Sequence, residues 1–382
     1  MRVDVKPDLL LWACERSGRG VDALARQQSF SKLPAWISGE ERPTLKQLER
    51  FAQATYTPFG FFFLPKPPEE SVPIPDLRTV GNQYSGHPSP DLLDTMYICQ
   101  QRQEWYRDFA RSMGEKELPF VGSASLDSDF TEVARNISHA LGFSLEERCK
   151  MPTWTEALRS FIQQADSFGI MVMVSGIVGS NTRRSLDPKE FRGFAISDPL
   201  APLVFINGKD TKAAQMFTLA HELAHIWLGE TALSDVGPIT MPSNKVEVWC
   251  NQVAAELLVP LSALQEAHDS FKSLREALDR LARWFKVSTL VILRRLHDAG
   301  KLTREELWQA YNKEVDRLLA ISKKAGGNFY LTLPARVSRR FAQALVISTL
   351  EGQTLHRDAF RLLGFRKYTT FRELGYQLGV LF

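Results

Sequence analysis

Two histidines stand four residues apart in the run Phe217-Thr218-Leu219-Ala220-His221-Glu222-Leu223-Ala224-His225, with Glu222 beside the first. On an α-helix a spacing of four puts both imidazoles on one face, about 40° apart around the axis. Two neutral imidazoles so placed can grip one small cation from one side. Glu222, one position on from His221, can act on a water held by that cation. The chemistry to expect is hydrolysis by metal-activated water. Zn²⁺ is the cation suited to imidazole and carboxylate donors in a tetrahedral array.

The flanking residues predict the helix this chemistry requires. Asp210 is a suitable N-cap, no Gly or Pro interrupts Thr211–Leu228, and Gly229 follows as a stop. Apolar residues surround most of the axis, from Ala213 to Leu228, which places the helix inside a core. Histidines and a glutamate buried there are costly unless they are paired or bind a metal.

A hydrolytic centre also needs a third protein ligand and an open fourth position. The next histidine after His225 is His268, far along the chain, so a carboxylate from a second helix is expected instead. Ser243 can cap a helix from about Asn244 to Val259, ended by Pro260, and this helix carries Glu247 and Glu256. Nine residues apart, they point to opposite sides, so only one can face the metal. Glu247 has Asn251 one turn later on its own face, able to hydrogen-bond the far nitrogen of a ligating histidine and set its tautomer. Glu247 is the expected ligand and Glu256 the alternative.

The same residues resemble the ImmA/IrrE family of metallopeptidases. The run Phe217–His225, then Glu247, then Asn251-Gln252-Val253-Ala254-Ala255-Glu256-Leu257-Leu258-Val259-Pro260 is similar to the family's two motif helices. Cys250 and Val253 depart from that pattern at packing positions, not at ligands. The resemblance implies an α+β, mostly helical, zincin-like (gluzincin-like) peptidase domain with a small antiparallel sheet. It also implies Zn²⁺ held by His221, His225 and Glu247, with Glu222 as general base. The implied activity is that of a regulatory endopeptidase. Its protein substrate would be a repressor or antitoxin, in a stress, phage or mobile-element, or toxin–antitoxin circuit. The other reading is a DNA-binding regulator or antitoxin that uses the peptidase fold only as an interaction module. An intact Glu222 favours the enzyme, since a binding module has no use for a general base.

Composition is compatible with either. A chain of 382 residues exceeds one ordinary core, so two or three domains are expected. Hydrophobic residues at 44% and charged residues at 24% describe a globular protein, and a formal charge of +3 is too small to argue for nucleic acid. Cys14, Cys99, Cys149 and Cys250 are scattered, which suggests neither a disulfide framework nor a cysteine metal site. The apolar run Leu9–Cys14 is far short of a signal-peptide core or membrane span, so a cytoplasmic protein with no membrane partner is expected.

Residues 1–64 read as a module of short helices, its cadence similar to the helix-turn-helix of phage-repressor-type (XRE-like) regulators. Its functional expectation is DNA binding by the third helix, from Ser31 to Ser38-Gly39; its structural alternative is packing or partner contact. Nine basic against seven acidic residues over 1–65 leave only +2, short of a clear basic face. Residues 65–89 form a Pro-rich linker. Residues 90–300 form the peptidase domain, with its core at 153–262 and a second helix-turn-helix-like unit at 273–300. Strands are expected at Gly169–Ser175, Phe191–Ser197 and Pro202–Asn207, the last two as an antiparallel hairpin leading into the metal helix. Residues 301–382 form a helical extension that is basic over 331–382, with eight basic and three acidic residues giving +5.

Overall fold

The computed structural model describes residues 1–77, 88–234, 244–268, 273–320 and 329–381. Part of the Pro-rich stretch, Ser243 and the Gly326-Gly327-Asn328 run lie outside the described residues. Contacts divide the chain into two units, one of Met1–Pro73 with Gln83–Tyr97, the other of Ile74–Asn82 with Ile98–Phe382.

The first unit contains α1 (Pro7–Arg16), α2 (Val21–Ala25), α3 (Leu33–Ile37) and α4 (Leu45–Ala54). Thr44 and Gln47 form a capping box that starts α4, each side chain satisfying the other's backbone N–H. Leu10, Leu24, Leu33, Trp36, Leu48 and Phe51 meet in one core. The helix expected from Ser31 is broken. A 3₁₀ turn at Gln28–Phe30 precedes α3, which holds five residues with Pro34 in its first turn, where a missing N–H costs nothing.

Helix α5 (Pro90–Ser112) has residues in both units. The second unit continues with α6 (Phe130–Leu141), α7 (Leu145–Lys150) and α8 (Trp154–Phe168). Strands β1 (Met171–Ser175), β2 (Gly193–Ile196) and β3 (Leu203–Asn207) follow, then α9 (Lys212–Leu228) and the short strand β4 (Ala232–Leu233). After these come α10 (Lys245–Leu258), α11 (Leu261–His268), α12 (Leu274–Phe285), α13 (Thr289–Asp298) and α14 (Arg304–Ala320). Four helices end the chain: α15 (Phe329–Val337), α16 (Arg339–Leu350), α17 (His356–Leu363) and α18 (Tyr368–Leu378). Among the described residues no helix is long and apolar enough to cross a membrane.

The architecture is α+β, mostly helical and zincin-like. Its sheet has the order β1-β3-β2-β4. The expected hairpin is present, with Phe194 opposite Phe205 in the antiparallel β2–β3 pair. The sheet as a whole is mixed, however, because β1 pairs parallel with β3 while β4 adds antiparallel to β2. The long connection from Ser175 to Gly193 carries the chain past β3's place before β2 turns back, so β3 inserts beside β1 in the same direction. Val172, Ala195, Val204 and Ile206 face the core shared with α9, while Phe194 and Phe205 stack on the other face at 5.0 Å. Buried on both faces, the sheet is a rigid floor beneath α9.

The C-terminal helices are joined to the sheet region through Asp166 at the end of α8. Ser338 donates its hydroxyl to Asp166 Oδ1, and the Arg340 N–H donates to Oδ2 at 2.7 Å. Ser338 holds φ at +67°, a strained setting for a residue with a side chain, stabilised by these bonds. In the second helix-turn-helix-like unit, Arg295 is buried and Arg294 pairs with Asp298 at 3.0 Å. Leu278, Leu281 and Phe285 of α12 and Ile292 and Leu293 of α13 join the core of the second unit.

Candidate metal centre

Helix α9 starts at Thr211, whose hydroxyl accepts from the Ala214 N–H at 3.2 Å. Asp210, the expected cap, instead accepts from the Thr211 N–H at 2.7 Å. Gly229 ends the helix in the left-handed conformation at φ 75°, and a Cβ there would sit 3.0 Å from Gly122 Cα. Glycine is required on both counts. Every residue from Gln215 to Trp227 is buried. Helix α10 packs along α9 and is capped by Asn244, whose side chain accepts from the Val246 N–H at 2.8 Å.

These two helices bring His221, His225 and Glu247 together with no solvent exposure. The two Nε2 atoms are 3.2 Å apart. Glu247 places Oε2 at 3.3 Å from His221 Nε2 and Oε1 at 3.2 Å from His225 Nε2. Despite this proximity, neither Glu247 oxygen is hydrogen-bonded. The donor atoms of the three residues stand 3.2–3.3 Å from one another, and buried carboxylate oxygens left without a hydrogen bond call for a cation. Tetrahedral zinc with bonds of about 2.0–2.1 Å has ligand-to-ligand edges of about 3.3 Å. Donor set and spacing therefore fit a metal ion of that size, and the cluster can hold one.

Three further side chains complete the surroundings. Asn251 accepts at Oδ1 from His221 Nδ1, 3.0 Å away, which leaves the Nε2 lone pair facing the cluster. Glu222 is fully buried; its Oε2 accepts from the Ser234 hydroxyl at 3.3 Å and its Oε1 has no partner. Gly193, on β2, lies directly against it. A Cβ there would be 2.5 Å from Thr218 Cγ2 and 3.1 Å from Glu222 Oε1. Sequence reasoning passed over both Ser234 and Gly193. A glycine inside a strand does signal close backbone approach, and that signal was present at Gly193.

Glu256 is not in the cluster. Its carboxylate is held by the buried Arg295 guanidinium, and Arg295 also donates to the Val259 carbonyl at 2.9 Å. Glu256 thus closes the C-terminal end of α10, on the side away from Glu247.

The electrostatics follow from this burial. Glu222 titrates well above the usual carboxylate range because it is desolvated, and the Glu247 charge pushes it further, with the Ser234 bond partly offsetting both. Burial also works to raise Glu247, but the two imidazoles outweigh it and hold the carboxylate at about 2. Burial holds His225 below its ordinary value, which keeps it neutral and able to donate a lone pair.

Residues 165–297 match the family model of a peptidase family described as the IrrE N-terminal-like domain. The match spans the sheet and both helices of the cluster, and supports the resemblance to ImmA/IrrE peptidases and a metallopeptidase type of function. Residues 337–377 match a domain of unknown function. No curated protein and no solved structure matches the chain.

Proposed function

We propose that this chain is a zinc metalloendopeptidase that cleaves a partner regulator, a repressor or an antitoxin. The observation that supports this reading most is the buried triangle of donors from His221, His225 and Glu247, in which neither Glu247 oxygen is hydrogen-bonded, with the Glu222 carboxylate beside it. When bound, Zn²⁺ supplies Lewis-acid activation of water and of the scissile carbonyl. Glu222 takes the proton of the attacking water and later delivers it to the leaving amine. In the metal-free chain burial raises its proton affinity, and a bound Zn²⁺ would oppose that rise. Asn251 keeps the proton of His221 on Nδ1. The apolar walls around α9 exclude bulk water, which strengthens each of these interactions.

A second reading, an interaction module without proteolysis, draws on the complete burial of the cluster. The variant Glu222→Gln separates the two. It keeps the shape of the side chain and removes the base, so metal and partner binding persist while cleavage falls by about 10²–10⁴. Cleavage is followed on gels with the regulators encoded beside the gene, together with a reporter for their promoter. A variant that cleaves and regulates as the wild type does would refute the enzyme reading.

A further inference from the structure

Ser234 follows β4 directly and is 1% exposed. Its Oγ donates to Glu222 Oε2 at 3.3 Å and lies 3.1 Å from His225 Nε2. The hydroxyl has one proton, and Glu222 takes it. Ser234 Oγ then has only lone pairs left to turn toward His225 Nε2, 3.1 Å away. The 3.1 Å separation equals, within 0.2 Å, the other edges of the donor cluster at 3.2 and 3.3 Å. Ser234 Oγ thus stands one ligand-to-ligand edge from His225 Nε2, beside the cluster. The bond it makes to Glu222 is the bond that an attacking water must make.

The strand that delivers Ser234 also covers the sheet edge. Ala232 and Leu233 pair antiparallel with Ala195 and Phe194 of β2. On its other side, the Leu233 N–H donates to the Pro75 carbonyl at 2.9 Å, and Leu233 accepts from the Leu77 N–H at 3.0 Å. An extended peptide seeking main-chain bonds beside α9 finds the β2 edge already occupied.

Building on the metallopeptidase reading, we propose that Ser234 is the fourth donor of this centre, standing where the attacking water must stand. The chain thereby holds its own active site closed until residues 232–234 withdraw from β2. Ser234 is a positioning residue of the closed state and takes no part in the chemistry.

The test uses the full chain loaded with Co²⁺, whose visible spectrum reports its ligands. In Ser234→Cys, a near-isosteric change, a sulfur at the fourth corner gives a thiolate-to-cobalt charge-transfer band in the near ultraviolet. In Ser234→Ala, acetohydroxamate reaches the metal at least about tenfold more tightly than in wild type, because a site that is mostly closed binds in proportion to its open fraction. Loaded protein with no such band in Ser234→Cys, and equal acetohydroxamate affinity in wild type and Ser234→Ala, would overturn the proposal while leaving the metal centre intact. Wild-type protein that takes up no Co²⁺, or a Glu247→Ala variant that holds it as tightly, would overturn the metal reading itself.

Discussion

Replacing Asn251 separates the metal centre from a chance meeting of buried polar groups. Asn251 sits at the edge of the cluster, half-buried, and its single contact with the centre is the 3.0 Å bond from His221 Nδ1. Asn251→Ala removes the acceptor and no metal ligand. His221 is then free to place its proton on either nitrogen, and the form that protonates Nε2 cannot bind. Loss of such a supporting partner costs 10–100-fold in metal affinity, or about 1.4–2.7 kcal/mol. Asn251→Asp keeps an acceptor at the same position and should retain wild-type affinity or tighten it. The assay is a competition titration of Zn²⁺ against a chromophoric chelator on all three proteins. Equal affinity in Asn251→Ala and wild type, or equal weakening in both variants, would refute the tautomer argument.

Other consequences can be measured on the same material. Gly193→Ala forces a methyl to 2.5 Å from Thr218 Cγ2, so it should destabilise the chain by about 1–3 kcal/mol in urea unfolding and lower cleavage; an unchanged midpoint would show that β2 and α9 can part freely. Glu222 has its proton affinity raised by burial, so its cost to the metal-free fold is absent below its ordinary value of 4.5 and grows as pH rises toward the folded value. Metal-free Glu222→Gln should therefore be more stable than wild type at neutral pH, by about 1–2 kcal/mol, with the gain vanishing near pH 4; a gain independent of pH would count against the burial argument. DNA binding by the N-terminal module should be weak and lost between roughly 50 and 200 mM salt. The reason is that α3 exposes little beyond Pro34, and the adjacent Lys32 is paired with Glu41 at 2.8 Å. A sequence-specific complex surviving physiological salt would restore the regulator reading.

The parts legible in the sequence are those governed by local spacing. The four-residue interval of His221 and His225, the glycine stop at Gly229 and the Pro260 break mark α9 and α10 almost to the residue. The caps shift by one, to Thr211 and Asn244, because neighbouring residues of capping type compete for the same N–H groups and only geometry decides between them. Non-local facts stay hidden. The parallel pairing of β1 with β3 depends on a long connection, and β4 is too short to carry any alternation. Glu256 belongs to Arg295, 39 residues away, a partner that no local pattern announces. Ser234 reads as an ordinary polar residue until the fold carries it back to Glu222.

On this reading His221, His225 and Glu247 together hold one divalent metal. Metal analysis of the purified wild-type chain beside Glu247→Ala and Glu256→Ala tests it most directly. About one zinc per chain is expected in wild type, none in Glu247→Ala, and wild-type content in whatever Glu256→Ala remains folded. Zinc retained in Glu247→Ala and lost from folded Glu256→Ala would contradict it.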